Sequence, residues 1–344
     1  MKKASYNVAV IGATGTVGRE LVGVLLERGF PLAELRLYAT SASEGSELEG
    51  CESAVEPLRA DTDLKGADLV FLACPAPVAE DWSERARAAG AFVIDVTAGC
   101  RGAKVELVVP EVNAERLAHS LEHRVAGSAH PVALALAVLL SPVRELAALQ
   151  RVVATVLEPV SSLGRRGVDV LEHEVHALLN GIEPEEPEVF SQRVAFNVFP
   201  ALPGGEGARQ LPQPQEIASQ LRQILRDPRL AVEIVRVRVP VFFGLGLSVD
   251  VTLRSPVTLT AVEEMLRSAP GLLLARGGVG RPGEPRLPLP SPATVVGSDA
   301  THVTCLGVDP QVPAASFWLA LDNTRKGSAT NAVQIAELLV RDYL

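Results

Sequence analysis

The sequence predicts an α/β protein in which a doubly wound parallel sheet comes first and a second α+β domain, built on a mixed sheet, follows. Three observations carry that expectation. Short apolar runs alternate with helical spacing through the first third of the chain, whereas β-branched runs between Gly- and Pro-rich loops dominate from Val152 onward. The length of 344 residues exceeds what one core usually organises.

Asn7 to Ile11 reads as a strand, and Val17 to Leu26 follows a Gly-rich turn with helical spacing. Leu35 to Tyr38 reads as a second strand. Asp68 to Cys74 and Ala91 to Val96 are runs of the kind that fill a parallel sheet, separated by the polar helical stretch Val78 to Ala89. Pro131 to Leu140 is the most apolar run; at about half the length needed to cross a bilayer, it reads as a buried helix. Val152 to Leu157, Ala231 to Val241 and Leu247 to Leu253 supply strands of a mixed or antiparallel sheet. Ile182 to Glu188 and Gly277 to Pro292 read as exposed loops, and Ala329 to Leu339 as an amphipathic terminal helix.

An apolar fraction of 47% against 21% charged residues allows a sizeable core. The net charge of -9 argues against a nucleic-acid partner, which needs Lys and Arg clustered in excess, and no such basic block appears. Cys51, Cys74, Cys100 and Cys305 lie far apart without CxxC spacing, so reduced thiols are expected, with neither a disulfide nor zinc. Gly12, Thr14, Gly15 and Thr16 interrupt the apolar stretch that a signal peptide would require. A cytoplasmic protein without membrane segments is the expectation.

Gly12-Ala-Thr-Gly15-Thr-Val-Gly18 lies between a strand and a helix, the context of a Rossmann-like dinucleotide fingerprint. Its glycines let the backbone approach a pyrophosphate, and the helix start offers unpaired N–H groups to the phosphates. The candidate cofactor contacts are Gly12, Thr14, Gly15, Thr16, Val17 and Gly18, with Thr40 and Ser41 after the second strand. The loop Ala39 to Gly45 holds no Arg or Lys for a 2′-phosphate, and Glu44 would repel one. A solvated loop is the competing reading of those residues. The cofactor is therefore read as NAD or NADP, with NAD slightly favoured.

The segment Asp322-Asn-Thr-Arg-Lys-Gly-Ser-Ala-Thr-Asn-Ala-Val-Gln-Ile-Ala-Glu337 resembles the C-terminal signature of aspartate-semialdehyde dehydrogenases. Val109-Pro-Glu-Val-Asn113, Ala195-Phe-Asn197 and Val237-Arg-Val-Pro-Val241 agree in order, so the resemblance spans nearly the whole chain. It implies a dinucleotide domain over residues 1–128, completed by a C-terminal helix over 328–344, and a substrate and dimerisation domain over 129–327. Asn331 and Gln334 would then face the cofactor. A homodimer is the implied assembly, and pairing with an active relative is the alternative.

The resemblance also places a nucleophilic Cys at a helix start, where the helix lowers a thiol pKa. Here that position holds Pro131, within Ser128-Ala-His-Pro131-Val. The family's acid/base His follows a Val-Pro-Val-x-x-Gly stretch, and here Val239-Pro-Val-Phe-Phe-Gly244 is followed by Leu245. Both members of the expected pair are missing, as in a Usg-like branch. The substrate-orienting Gln aligns with Glu158, the Glu-Glu-x-Lys helix with Gln213-Pro-Gln-Glu216, and the cofactor loop's Arg with Ala42. Arg101 and Arg238 align with the arginines that hold phosphate and substrate carboxylate, making Arg101, Arg238 and Glu158 the candidate anion and substrate residues. A structural ion pair is the alternative for either Arg.

Cys74 at a strand end and Cys100 beside Arg101 are the available thiols, buried inert Cys being the commoner fate. His130 adjoins Pro131 and could act as a base. His173 and His176 share a helix face near Glu172, but no third metal ligand is evident. Three functions remain open: a dinucleotide-binding family member without the parent activity, an oxidoreductase for another aldehyde or alcohol, and a non-enzymatic partner of an active relative.

Overall fold

In the computed structural model, which describes residues 3–97, 105–186, 189–201, 212–275, 289–309 and 311–344, the first apolar run forms β1 (Tyr6–Ile11). The chain divides into unit 1 (Met1–Pro131 and Gly327–Leu344) and unit 2 (Val132–Lys326). Unit 1 continues with α1 (Thr16–Glu27), β2 (Leu32–Ala39), β3 (Val55–Pro57), β4 (Leu69–Leu72), α2 (Ala76–Ala88), β5 (Phe92–Asp95), β6 (Glu106–Leu107), α3 (Pro110–Asn113), α4 (Leu117–Ser120) and β7 (Val125–Gly127). The sheet order is β3-β2-β1-β4-β5-β7-β6, and all its pairs are parallel. Strand order reverses between β1 and β4, which opens a crevice at the carboxyl ends of those strands.

The apolar run of β1 is continuous because both faces of the sheet are covered. Val8 and Val10 pack with Leu21, Val22 and Leu25 of α1, whereas Ala9 and Ile11 pack with Ala79, Trp82 and Ala86 of α2. The side chains alternate along the strand, and each helix presents one apolar stripe at its own period.

Unit 2 begins within α5 (Pro131–Leu146), where every residue from Val132 to Leu140 is buried, in keeping with its apolar sequence. Then come β8 (Leu149–Glu158), α6 (Arg165–Leu179), β9 (Phe199–Pro200), α7 (Pro214–Leu225), β10 (Ala231–Arg238), β11 (Leu245–Leu253), α8 (Leu259–Ser268), β12 (Leu272–Leu274), β13 (Thr301–Asp309) and β14 (Ala314–Leu321). They form a mixed sheet, β12-β13-β14-β11-β8-β10-β9. β8 pairs with β10 in parallel and with β11 in antiparallel orientation.

The strand expected over Ala231 to Val241 ends at Arg238. Pro240 has no N–H for a ladder, and the Val241 N–H turns back to the Val239 carbonyl at 2.8 Å. The expected terminal helix starts later than Ala329, at α9 (Asn331–Asp342), because a π-helical turn covers Arg325–Thr330. Its Ala332, Ile335, Ala336 and Leu339 join the α1 side of the unit 1 core, and Arg28, at the C-terminal cap of α1, donates two 2.8 Å hydrogen bonds to Glu337. Of the expected loops, 182–186 and 289–291 carry no helix or strand, Pro292 opens a 3-10 turn (Pro292–Thr294), and 187–188 and 277–288 lie outside the described residues. Among the described residues no helix is long and apolar enough to cross a membrane.

Candidate functional site

The Gly-rich turn sits at the carboxyl end of β1, at the crevice. Gly12 and Ala13 donate their N–H groups to the Tyr38 carbonyl at 2.8 and 3.0 Å, which pins the turn to β2. Gly12 adopts φ +91°, and a Cβ there would lie 2.4 Å from the Ala73 carbonyl oxygen. A Cβ on Gly18 would lie 2.1 Å from the Gly12 carbonyl oxygen. These two glycines let β1, β4 and α1 approach. Gly15 has room by comparison, its nearest neighbour lying at 3.4 Å.

No side chain caps α1 and no acidic residue stands in its first turn. Helix geometry leaves the Thr16 and Val17 N–H groups without intrahelical acceptors, beside the partial positive charge of the helix start. That is the donor set an anionic pyrophosphate needs, and the glycine cradle leaves space for it. The residues present fit a dinucleotide. Thr40 and Ser41 are exposed on the adjoining loop. Ser43, which the sequence reading passed over, places its Oγ 3.1 Å from Thr14 Oγ1. Arg59 lies 3.7 Å from Glu44, so a cation reaches the loop from a distant stretch of sequence and offsets the repulsion expected from Glu44.

In unit 1, Pro131 occupies the first position of α5, where its missing N–H has no intrahelical use. The ring packs on Gly327, where a Cβ would lie 2.6 Å from Pro131 Cβ. Gly327→Ala is therefore expected to destabilise unit 1 by about 1–3 kcal/mol through overpacking, read as a lowered melting temperature. Asn331 is fully buried; its Nδ2 donates to the Val108 carbonyl at 3.0 Å and to Ser128 Oγ at 2.9 Å, while its Oδ1 has no partner. Gln334 donates to Glu111 Oε1 at 3.0 Å. These two residues thus tie α9 to α3 and to the residues that follow β6 and β7.

Cys74 makes a poor nucleophile. Burial, and then the nearby Asp95 charge, push its thiol up to about 12. Cys305 is also raised, chiefly by burial. Cys74 is expected to resist alkylation at pH 8 in the folded chain and to react once denatured, as read by peptide mass mapping. Because its folded pKa lies above the ordinary value of 9.0, its contribution to stability is present below pH 9 and falls away as pH rises toward about 12. Cys100 and Arg101 lie outside the described residues. His173 and His176 are exposed on α6, and among the described residues no group of three His, Cys, Asp or Glu side chains is placed to hold a metal.

In unit 2, Glu158 and Arg238 are register partners at the carboxyl ends of the parallel strands β8 and β10. Gly246 pairs with Leu157 on the other side of β8, which sets Leu245 level with Glu158. Directly paired residues share a face, so Arg238, Glu158 and Leu245 point the same way. Leu245 is buried. Arg236 donates to Glu158 through Nε at 2.8 Å and Nη2 at 2.7 Å, and through Nη1 to the Pro212 carbonyl at 2.8 Å. Arg238 is 0% exposed; Nη2 lies 3.4 Å from Glu158, and Nη1 donates to the Pro159 carbonyl at 2.6 Å and Ser162 Oγ at 2.7 Å. Its guanidinium carbon stands 5.4 Å from the Phe190 ring centroid. Glu158 and Arg238 stand as an ion pair, the alternative that the sequence left open for Arg238. Arg236 had not been foreseen.

Residues 7–120 match the family described as semialdehyde dehydrogenase, NAD binding domain, and residues 140–326 match semialdehyde dehydrogenase, dimerisation domain. The chain belongs to the semialdehyde dehydrogenase family. An aspartate-semialdehyde dehydrogenase of Aquifex aeolicus is 32% identical over 98% of this chain and 99% of its own length. A USG-1 protein homolog of Azotobacter vinelandii is 35% identical, with 98% of each chain covered. The crystal structure of aspartate semialdehyde dehydrogenase II from Vibrio cholerae superposes with a TM-score of 0.89 at 33% identity, covering 99% of this chain and all of that one. In this semialdehyde dehydrogenase family member the glycine cradle thus falls within the NAD-binding match, and the Glu158 cluster and Leu245 within the dimerisation match.

Proposed function

We propose that this chain binds a nicotinamide dinucleotide in unit 1 and lacks the aspartate-semialdehyde dehydrogenase reaction. The observation that carries the reading is the pair Pro131 and Leu245 at the positions where the family resemblance puts a Cys nucleophile and an acid/base His. Proline has no nucleophilic atom, and leucine neither takes nor gives a proton. A covalent route through a thioester requires both functions, and pocket electrostatics cannot stand in for an absent bond-forming atom.

Supporting observations come from each unit. Thr16 and Val17 would receive the pyrophosphate, with Thr14, Thr40, Ser41 and Ser43 beside it. A bound dinucleotide supplies hydride transfer. Pro131 is packed against Gly327, which leaves that helix start filled by a ring. Cys74 and Cys305, with raised pKa values, offer no replacement thiolate.

For assembly, we propose a homodimer through unit 2. Its Phe196, Val198 and Val235 expose apolar side chains near the β9/β10 edge of the sheet, the kind of surface that a second copy covers. Association with an active relative would use the same surface.

The chemistry is tested by intact mass spectrometry after mixing the protein with NAD or NADP and aspartate semialdehyde without phosphate. No covalent acyl adduct is expected. An adduct mapped to any residue of this chain would overturn the proposal.

A further inference from the structure

At the far end of unit 2, the ends of α5 and α7 and the residue after β11 border a cavity of about 260 Å³, lined by Arg144, Ala148, Leu149, Leu225, Asp227 and Arg254. Leu149 opens β8 and Glu158 closes it, so roughly 30 Å of strand separates this cavity from the Glu158 end of the sheet. A backbone feature delivers each charged side chain. Arg144 stands in the last turn of α5, and its Nη1 donates to the Leu225 carbonyl at 2.7 Å, answering one of the carbonyls that the end of α7 leaves over. The Arg254 N–H donates to the Ala148 carbonyl at 2.9 Å, which seats Arg254 on the rim. Arg226 takes φ 55° after α7, and the turn brings back Asp227, whose Oδ1 accepts the Arg229 N–H at 3.1 Å.

Holding the fold accounts for one guanidinium nitrogen of Arg144 and for little else here. Among the described residues no hydrogen bond or ion pair holds the Arg254 guanidinium, and Asp227 forms an ion pair with neither arginine. Two guanidinium groups thus line one cavity without a counter-charge in contact, and both residues are exposed, so a small molecule reaches them. A carboxylate suits them, because its oxygens accept charge-assisted hydrogen bonds from guanidinium donors. A bare anion would also meet repulsion from Asp227. That carboxylate and the carbonyl ends of two helices favour a cationic group beside the anionic one. The volume lies just below the range of roughly 300–1,000 Å³ for drug-sized ligands, which limits the occupant to a few heavy atoms, and Ala148, Leu149 and Leu225 give it an apolar wall.

We propose that this cavity binds a small α-amino acid, with its carboxylate between the guanidinium groups of Arg144 and Arg254 and its ammonium group on Asp227. The site stands apart from the dinucleotide cradle and from the Glu158 end of the sheet.

The test is a ligand-observed NMR titration of the full chain, without cofactor, using alanine, propionate and alaninamide. Propionate is alanine without its ammonium group, and alaninamide is alanine without its carboxylate. Alanine is expected to bind saturably in the millimolar range, with each truncated ligand weaker by about tenfold or more, as the loss of a hydrogen-bonded charge implies. Arg254→Gln should weaken alanine by about tenfold or more at an unchanged melting temperature, because the guanidinium holds nothing within the chain. Asp227→Asn keeps an acceptor for the Arg229 N–H. It should weaken alanine and leave propionate as tight or tighter, an opposite response that a merely structural role would not give. Four results overturn the proposal: no saturable binding of alanine, alanine binding that Arg254→Gln leaves intact, propionate binding as tightly as alanine in the wild type, or a lowered melting temperature in Arg254→Gln. Failure of dinucleotide binding would leave this experiment unaffected, so the two ideas fall separately.

Discussion

Gly12→Ala and Gly18→Ala are each expected to abolish measurable dinucleotide binding, a loss on the order of 100-fold or more, and to lower the stability of unit 1. At Gly12 the new side chain must adopt φ +91° and approach the Ala73 carbonyl to 2.4 Å. At Gly18 it would sit 2.1 Å from the Gly12 carbonyl oxygen. Both obstacles are backbone atoms, so relief requires moving β1, β4 or α1, at a stability cost of about 1–3 kcal/mol for the overpacking alone. Gly15→Ala separates the two effects. With φ −69° and its nearest neighbour at 3.4 Å, it accepts a methyl group without strain, so the melting temperature should hold while affinity falls because the methyl group enters the cradle. Calorimetry with NAD and NADP, beside thermal melts of the three variants, checks this. Unchanged affinity in Gly12→Ala and Gly18→Ala would remove the turn from the binding site.

Glu158→Leu is expected to destabilise unit 2 by about 3–5 kcal/mol, because it leaves two buried guanidinium groups without their counter-charge. For a domain of this size that lowers the melting temperature by about 10 °C. Replacing Arg236 as well removes half of the uncompensated charge. The double variant Glu158→Leu with Arg236→Leu should therefore recover part of the loss, and the cycle should give a coupling energy of about 1 kcal/mol or more. Additive losses would mean that the two residues act independently despite their 2.7 and 2.8 Å hydrogen bonds.

The first domain was legible because its signals are local. A strand apolar on both faces, three glycines within seven residues and a helical stripe stand next to one another in sequence, and each fixes a backbone feature without reference to distant residues. The apolar helix of α5 was legible for the same reason. Unit 2 was harder to read. In α6 the inward stripe holds Glu174, whose Oε2 accepts the Val194 and Ala195 N–H groups, so a carboxylate interrupts the expected apolar spacing. In β13 the register shifts between Cys305 and Gly307, which breaks the alternation that marks a strand.

The candidate site divides along the same line. Pro131 and Leu245 could be named because each lies beside a recognisable stretch of sequence. The state of Arg238 could not be read, since the residues that hold it lie on β8 and in the turn that follows, about eighty positions earlier, at Glu158, Pro159 and Ser162. Arg236 is one strand period from Arg238 and shares its face, so the alternation of β10 contained a signal for it. Asn331, placed toward the cofactor by resemblance, is wholly buried against Val108 and Ser128. Helix docking of that kind leaves no mark in local sequence.

The central claim is that dinucleotide binding persists without the parent reaction. Its most direct test is calorimetric titration of the purified chain with NAD, NADP and their reduced forms, paired with phosphate-dependent oxidation of aspartate semialdehyde on the same preparation. Saturable cofactor binding with no reduced dinucleotide formed above the uncatalysed background is the expected result. Steady turnover would contradict the claim, and would place a competent nucleophile in a chain that carries Pro131 and Leu245.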